Sequence, residues 1–280
     1  MTERFSLSIS AVFPDIPLLD RAGRATKLGY STLEAWWPWP EADPDQAKVD
    51  EFVASFVEAG ARLHLLNLCE GGIAFGGRGL AGVPEAADDF WSNAERAIEL
   101  ARTLGARYLN VLAGNVGPLG RETGLAVLER RLRGLAPLAR SAGIGLVVEQ
   151  LNAHDHPDYL MTRPEDVLAL TRRVRSQGNP EVGMLADIYH LARTDIDPVA
   201  FMAENAAEIC HVQLADFPGR GRPGTGELDI ARIVYSLESN GYTGLLGLEY
   251  VDAAGGAAKL GPPEILWRQI TATHSGGLPS

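Results

Sequence analysis

Cysteine is scarce: the 280 residues contain two, Cys69 and Cys210, and no CxxC pair. That excludes a fold built on disulfides, and both cysteines read as reduced thiols of a cytoplasmic protein. No apolar run approaches the roughly 18 residues of a membrane span, and the start, MTERFSLSIS, lacks the apolar core of an export signal. Basic charge is also short. Twenty-five Lys and Arg face 36 Asp and Glu, a formal net charge of −11, so no basic stripe is offered to nucleic acid. No GxGxxG follows the first strand-like run, which argues against a dinucleotide-binding sheet. These absences leave a small-molecule ligand as the expected partner.

What is present is ordinary globular composition, 46% apolar and 22% charged, on a chain long enough to bury its core without staples. Eight short β-rich runs alternate with longer amphipathic stretches: Phe5–Val12, Thr32–Trp37, Arg62–Leu68, Tyr108–Ala113, Gly145–Leu151, Val182–Ile188, Ile209–Ala215 and Leu245–Val251. Helices are expected at Gln46–Ala59, Ala86–Leu104, Thr123–Ala142 and Arg163–Arg175. Gly105 and Gly143 stand where helices should stop, and Asp43-Pro44 and Asp197-Pro198 read as helix starts. Eight such units predict an α/β fold, a (β/α)8 TIM barrel in a single domain over residues 1–255, with a helix (Pro263–Thr271) and flexible tail over 256–280. The glycine-rich segment Gly71–Pro84 follows the third strand at the face where barrel sites lie, and is read as a lid.

Four polar residues interrupt apolar sequence near the ends of strands five to eight: Glu149, Asp187, Gln213 and Glu249. A buried carboxylate needs a cation, a proton or hydrogen bonds. Consecutive strands bring the four round one rim, where three carboxylates and an amide oxygen suit Mg2+ or Mn2+. His190, three residues after Asp187, and Asn152 are candidates for substrate contact. So are Arg220, among the glycines of PGRGRPGTG, and Arg78 in the expected lid, because a guanidinium fork matches a carboxylate. Asp216 could simply start a turn. His64, midway along strand three, reads as structural, and His154, His156 and His211 stay open. Trp36, Trp37 and Trp39 could wall a pocket or join two copies of the chain.

Several stretches together carry a family resemblance: GGRGLAGVP (76–84), EQLN (149–152), ADIYH (186–190), HVQLADFPGRGRPGTGELD (211–229) and GYTGLLGLEY (241–250). From about Phe5 to Val251 the chain resembles the xylose isomerase-like barrels, and within them the hydroxypyruvate isomerases. The resemblance implies that Glu149, Asp187, Gln213 and Glu249 hold the metal and that Glu149 and Glu249 are also the acid/base pair. It further implies that His190 and an arginine of the PGRGR loop contact substrate. The chain departs from that pattern at Gln150, where proline is expected, at Leu185, in the Trp-rich patch and in the C-terminal tail.

Two opposed carboxylates suit proton transfer between adjacent carbons of a hydroxy-keto acid, and a positioned acid or base contributes roughly 10²–10⁴ in rate. The resemblance implies the substrate class: isomerisation of hydroxypyruvate to 2-hydroxy-3-oxopropanoate, or of a related small 2-oxo sugar acid, through an enediolate. A 2-oxotetronate isomerase and a ketose 3-epimerase are the alternatives. The epimerases of this superfamily usually carry histidine at the third ligand position, where this chain has Gln213. A barrel-type apurinic endonuclease would need a histidine-rich zinc site, against six histidines mostly off the strand ends. A sugar-acid binding barrel without catalysis is the reading from another class.

Overall fold

The computed structural model describes residues 4–72, 76–251 and 260–272. Parallel strands β1 (Phe5–Ser8), β2 (Thr32–Ala35), β3 (Arg62–Asn67), β4 (Tyr108–Asn110), β5 (Gly145–Glu149), β6 (Val182–Asp187), β7 (Ile209–Leu214) and β8 (Leu246–Leu248) pair in chain order, and β8 closes onto β1. Around them run α1 (Ile9–Val12), α2 (Arg21–Lys27), α3 (Gln46–Ala59), α4 (Ala87–Leu104), α5 (Gly120–Ser141), α6 (Pro164–Ser176), α7 (Ile188–Ala192), α8 (Pro198–Asn205), α9 (Ile230–Ser239) and α10 (Pro263–Ala272). The fold is the closed eight-stranded barrel expected from the alternation. Its strands are buried on both faces, inward against each other and outward under helices, which is why they read as continuous apolar runs.

All eight strands form, but each stops one to four residues before the apolar run does. Val111 and Ala113, past the end of β4, are fully buried although neither belongs to a strand. Loop residues plugging the barrel mouth are as apolar as the strands, so hydropathy does not show where pairing ends. The first run breaks earliest, because Ser8 caps α1 by accepting from the Ala11 N–H at 3.4 Å.

Gly105 stops α4 in the left-handed region at φ 73°, and Asp197 caps α8 through the Val199 N–H. Asp43-Pro44 is not a cap. Asp45 takes that position in α3 with no side-chain hydrogen bond, and Asp43 instead pairs with Arg96 at 2.9 Å. Nor is the described part of the glycine-rich segment loosely held. Arg131 of α5, buried, donates to the carbonyls of Leu80, Ala81 and Val83. A Cβ on Gly79 would lie 2.3 Å from the Leu112 carbonyl oxygen, so 76–84 is clamped against the β4 loop rather than hinged as a lid. Residues 73–75 lie outside the described residues.

α10 packs onto the outside of the barrel beside α9. Leu266 and Ile270 are buried, and Trp267 meets Phe5 and the Arg4 guanidinium. Residues 252–259 and 273–280, including the expected flexible tail, lie outside the described residues. Cys69 and Cys210 are both unpaired, as expected.

Candidate active site

Glu149 ends β5, Asp187 ends β6, Gln213 lies one residue before the end of β7, and Glu249 follows β8. Asp187 pairs in register with Gln213, and Gln213 with Gly247, so the four share one rim. None is more than 4% exposed. Glu149 and Glu249 line one cavity of about 170 Å³ with Asn67, Glu70, Arg78, His156, His190 and Arg220; Trp36, Leu112 and Leu151 supply its apolar walls. That is well under the roughly 300–1,000 Å³ of pockets for drug-sized ligands, so the ligand it fits is small.

Arg220 reaches the centre of the rim. Its Nη2 donates to Asp187 Oδ2 at 3.0 Å and to Glu249 Oε2 at 2.6 Å, while its buried Nε has no partner. It therefore neutralises carboxylates of the expected ligand set, and keeps Nε for a further acceptor. Trp36 Nε1 donates to Glu249 Oε1 at 2.7 Å, so both oxygens of Glu249 are held. Glu149 accepts from Asn110 Nδ2 at 2.8 Å on Oε2.

Four buried carboxylates (Glu70, Glu149, Asp187, Glu249) gather with two half-buried arginines (Arg78, Arg220). Their titration reflects that excess. Burial, then Glu249 and Asp187, raise Glu149 well above the carboxylate range. Burial raises Asp187 against the pull of Arg220. Burial pushes Glu249 to about 7, with Arg220 opposing and Asp187 adding to the rise. Glu70 is likewise held near 7 by burial. Such a site calls for protons or a cation.

Asn152 does not line the cavity, a correction to its expected substrate contact. Fully buried, it gives both its backbone N–H and its Nδ2 to His190 Nδ1, at 3.2 and 2.8 Å, with the amide oriented by Asp155. It is a ring holder. Burial, then Arg220, pushes His190 well below the histidine range, so the ring is neutral and its proton sits on Nε2. Glu149, Asp187 and His190 each bring one atom within 4.8 Å of the others. With Nδ1 occupied as acceptor and Nε2 protonated, however, His190 is a hydrogen-bond donor and not a ligand. Arg78 lines the cavity and donates through Nε to His156 Nδ1 at 3.2 Å.

Trp36 belongs to this site, whereas Trp37 and Trp39 meet edge to face in the core, where Trp39 also packs edge to face on Phe52. Asp216 is more than a turn start: fully buried, its carboxylate accepts from the N–H groups of Phe217, Gly224 and Leu228 and shapes the loop carrying Arg220. His64 packs on Tyr108 inside the barrel, and His154 contacts Arg193. The sequence reading missed Glu34, Glu70, Asn67 and Asn110. Glu34 had the signal that marked Glu149, a lone charge in an apolar strand. Glu70 was hidden at the start of the glycine-rich segment.

The family model for xylose isomerase-like TIM barrels matches residues 22–269. A putative hydroxypyruvate isomerase of Streptomyces coelicolor is 35% identical, over 89% of this chain and 90% of that protein. A 2-oxo-tetronate isomerase of Cupriavidus necator is 29% identical, over 92% and 96%. A solved structure from Brucella melitensis, described as an AP endonuclease of family 2, superposes with a TM-score of 0.83 at 27% identity, covering 92% of this chain and 97% of that one.

Proposed function

The chain belongs to the xylose isomerase-like TIM barrel family, and from that premise we propose that it isomerises hydroxypyruvate, or a 2-oxo acid one carbon longer, by proton transfer between neighbouring carbons. One observation carries the reading: Glu149 and Glu249, from β5 and from just past β8, share one small cavity whose other polar walls include two arginines and two histidines. The names of the two isomerases reported above support the substrate class. A cavity of about 170 Å³ and a formal net charge of −11 support a small acid as the ligand over a nucleic acid.

The donor set fits a hard divalent cation, Mg2+ or Mn2+. Glu149, Asp187 and Glu249 supply carboxylate oxygens, and Gln213 has a buried Oε1 with no hydrogen-bond partner. Such an ion, when bound, polarises the ketone and hydroxyl oxygens of the substrate as a Lewis acid. The protein's own groups do the rest. Arg78, Arg220 and the His190 Nε2 proton line the cavity as donors for the carboxylate and hydroxyls of such a ligand. Glu249, with Trp36 and Arg220 on its two oxygens, starts as the carboxylate and takes a proton from C3. Glu149, with no donor on Oε1 among the described residues, returns a proton to C2 of the enediolate while the hydroxyl proton moves from O3 to O2. The product is 2-hydroxy-3-oxopropanoate. A cytoplasmic setting accords with the free thiols.

The test is NMR of hydroxypyruvate in D2O. The wild type should form the aldehyde product with deuterium incorporation. Glu249→Gln should lose both exchange at C3 and product. Glu149→Gln should still exchange C3 while product formation drops by roughly 10² or more. If both variants turn over near the wild-type rate, the proposal is wrong.

A further inference from the structure

Behind the cavity lies a polar group that the proton transfer does not use. Glu34 on β2, 1% exposed, reaches across the barrel interior to β7. Its Oε1 accepts from Ser6 Oγ at 2.5 Å and from His211 Nε2 at 2.7 Å, and its Oε2 accepts from Gln213 Nε2 at 2.8 Å. A carboxylate can only accept, so it dictates which end of the Gln213 carboxamide turns towards it. That end is the NH2. The carbonyl Oε1 is the free end, buried, with no hydrogen-bond partner among the described residues, on a residue in register beside Asp187. β8 makes room for this arrangement. A Cβ on Gly247 would lie 2.4 Å from Glu34 Oε1 and 2.9 Å from His211 Nε2, so a side chain there would break the group apart.

We propose that Glu34 is a positioning residue that locks the Gln213 carboxamide with its carbonyl oxygen free, turning it into a neutral oxygen ligand for the cation. The inference rests on the cation site proposed above and adds what orients one of its ligands. A glutamine at 34 can donate as well as accept, so two facing carboxamides pair either way round and the lock is gone. Ser6 is a bystander in this scheme, because its removal leaves the contact to Gln213 intact.

The experiment is calorimetric titration of Mn2+ into metal-free wild type, Glu34→Gln and Ser6→Ala, with thermal melts to confirm folding. Glu34→Gln should weaken Mn2+ binding roughly 10–100-fold, the range for removing a partner that orients a ligand, while Ser6→Ala stays within about threefold. A folded Glu34→Gln protein that binds Mn2+ like the wild type overturns the proposal and leaves the cation site standing. A wild type that binds no Mn2+ overturns both. If Glu34→Gln does not fold, wild-type crystals soaked in Mn2+ decide by anomalous diffraction. An ion bonded to Gln213 Oε1, with Nε2 on Glu34, supports the lock; an ion without Gln213 among its ligands overturns it.

Discussion

At the scale of single residues, the site is governed by too many carboxylates in too little water. Glu70 makes this measurable apart from the catalytic pair. Its folded-state value, about 7, lies above the ordinary 4.5 because burial disfavours the charge. A raised acid contributes its stability below the unfolded pKa and loses it as pH rises through the folded one. The loss therefore falls between about pH 4.5 and 7, and by linkage amounts to about 3 kcal/mol as an order of magnitude. Glu70→Gln should match the wild type in urea melts near pH 4.5 and be more stable than it at pH 8, both metal-free. Equal stability of the two proteins at both pH values would refute the burial argument.

At the scale of elements, what matters is how loops are fastened to the strand ends. The loop after β7 takes its shape from Asp216 and carries Arg220 back to Asp187 and Glu249. Asp216→Ala leaves three N–H groups without their charged acceptor and should cost about 3 kcal/mol or more in urea unfolding. It should also misplace Arg220 and lower kcat/KM for hydroxypyruvate roughly 100-fold, the penalty of displacing a positioning group by about 1 Å. Unchanged kinetics would separate the loop from the site. The segment 76–84 makes the complementary case. Gly79→Ala drives a Cβ into the Leu112 carbonyl and should lower the thermal midpoint by several degrees, an effect a hinged lid would not show.

At the scale of the whole molecule, the barrel closes without help from disulfides and leaves the repulsion of its mouth to be offset by a ligand. Mn2+ at about 100 times its dissociation constant should stabilise the wild type by roughly 2.7 kcal/mol, or about 5 °C in midpoint for a chain of this size. EDTA should reverse the gain, and Asp187→Asn should abolish it. A midpoint indifferent to Mn2+ and EDTA would remove the cation from the scheme.

The sequence by itself determined the barrel, because eight short apolar runs alternating with longer amphipathic stretches admit few other closures. It also marked Glu149, Asp187, Gln213 and Glu249, since a lone polar residue at the end of an apolar strand betrays itself locally. Only the tertiary structure decided the partners: Trp36 on Glu249, Asn152 on the ring of His190, Glu34 on Gln213, and Arg220 between two carboxylates. Those contacts join residues as many as 213 positions apart, and a hydrogen bond depends on distance and direction in space, which no local pattern of residue types encodes. The same holds for residues 76–84, whose glycine-rich composition suggested freedom until the backbone packed against them removed it.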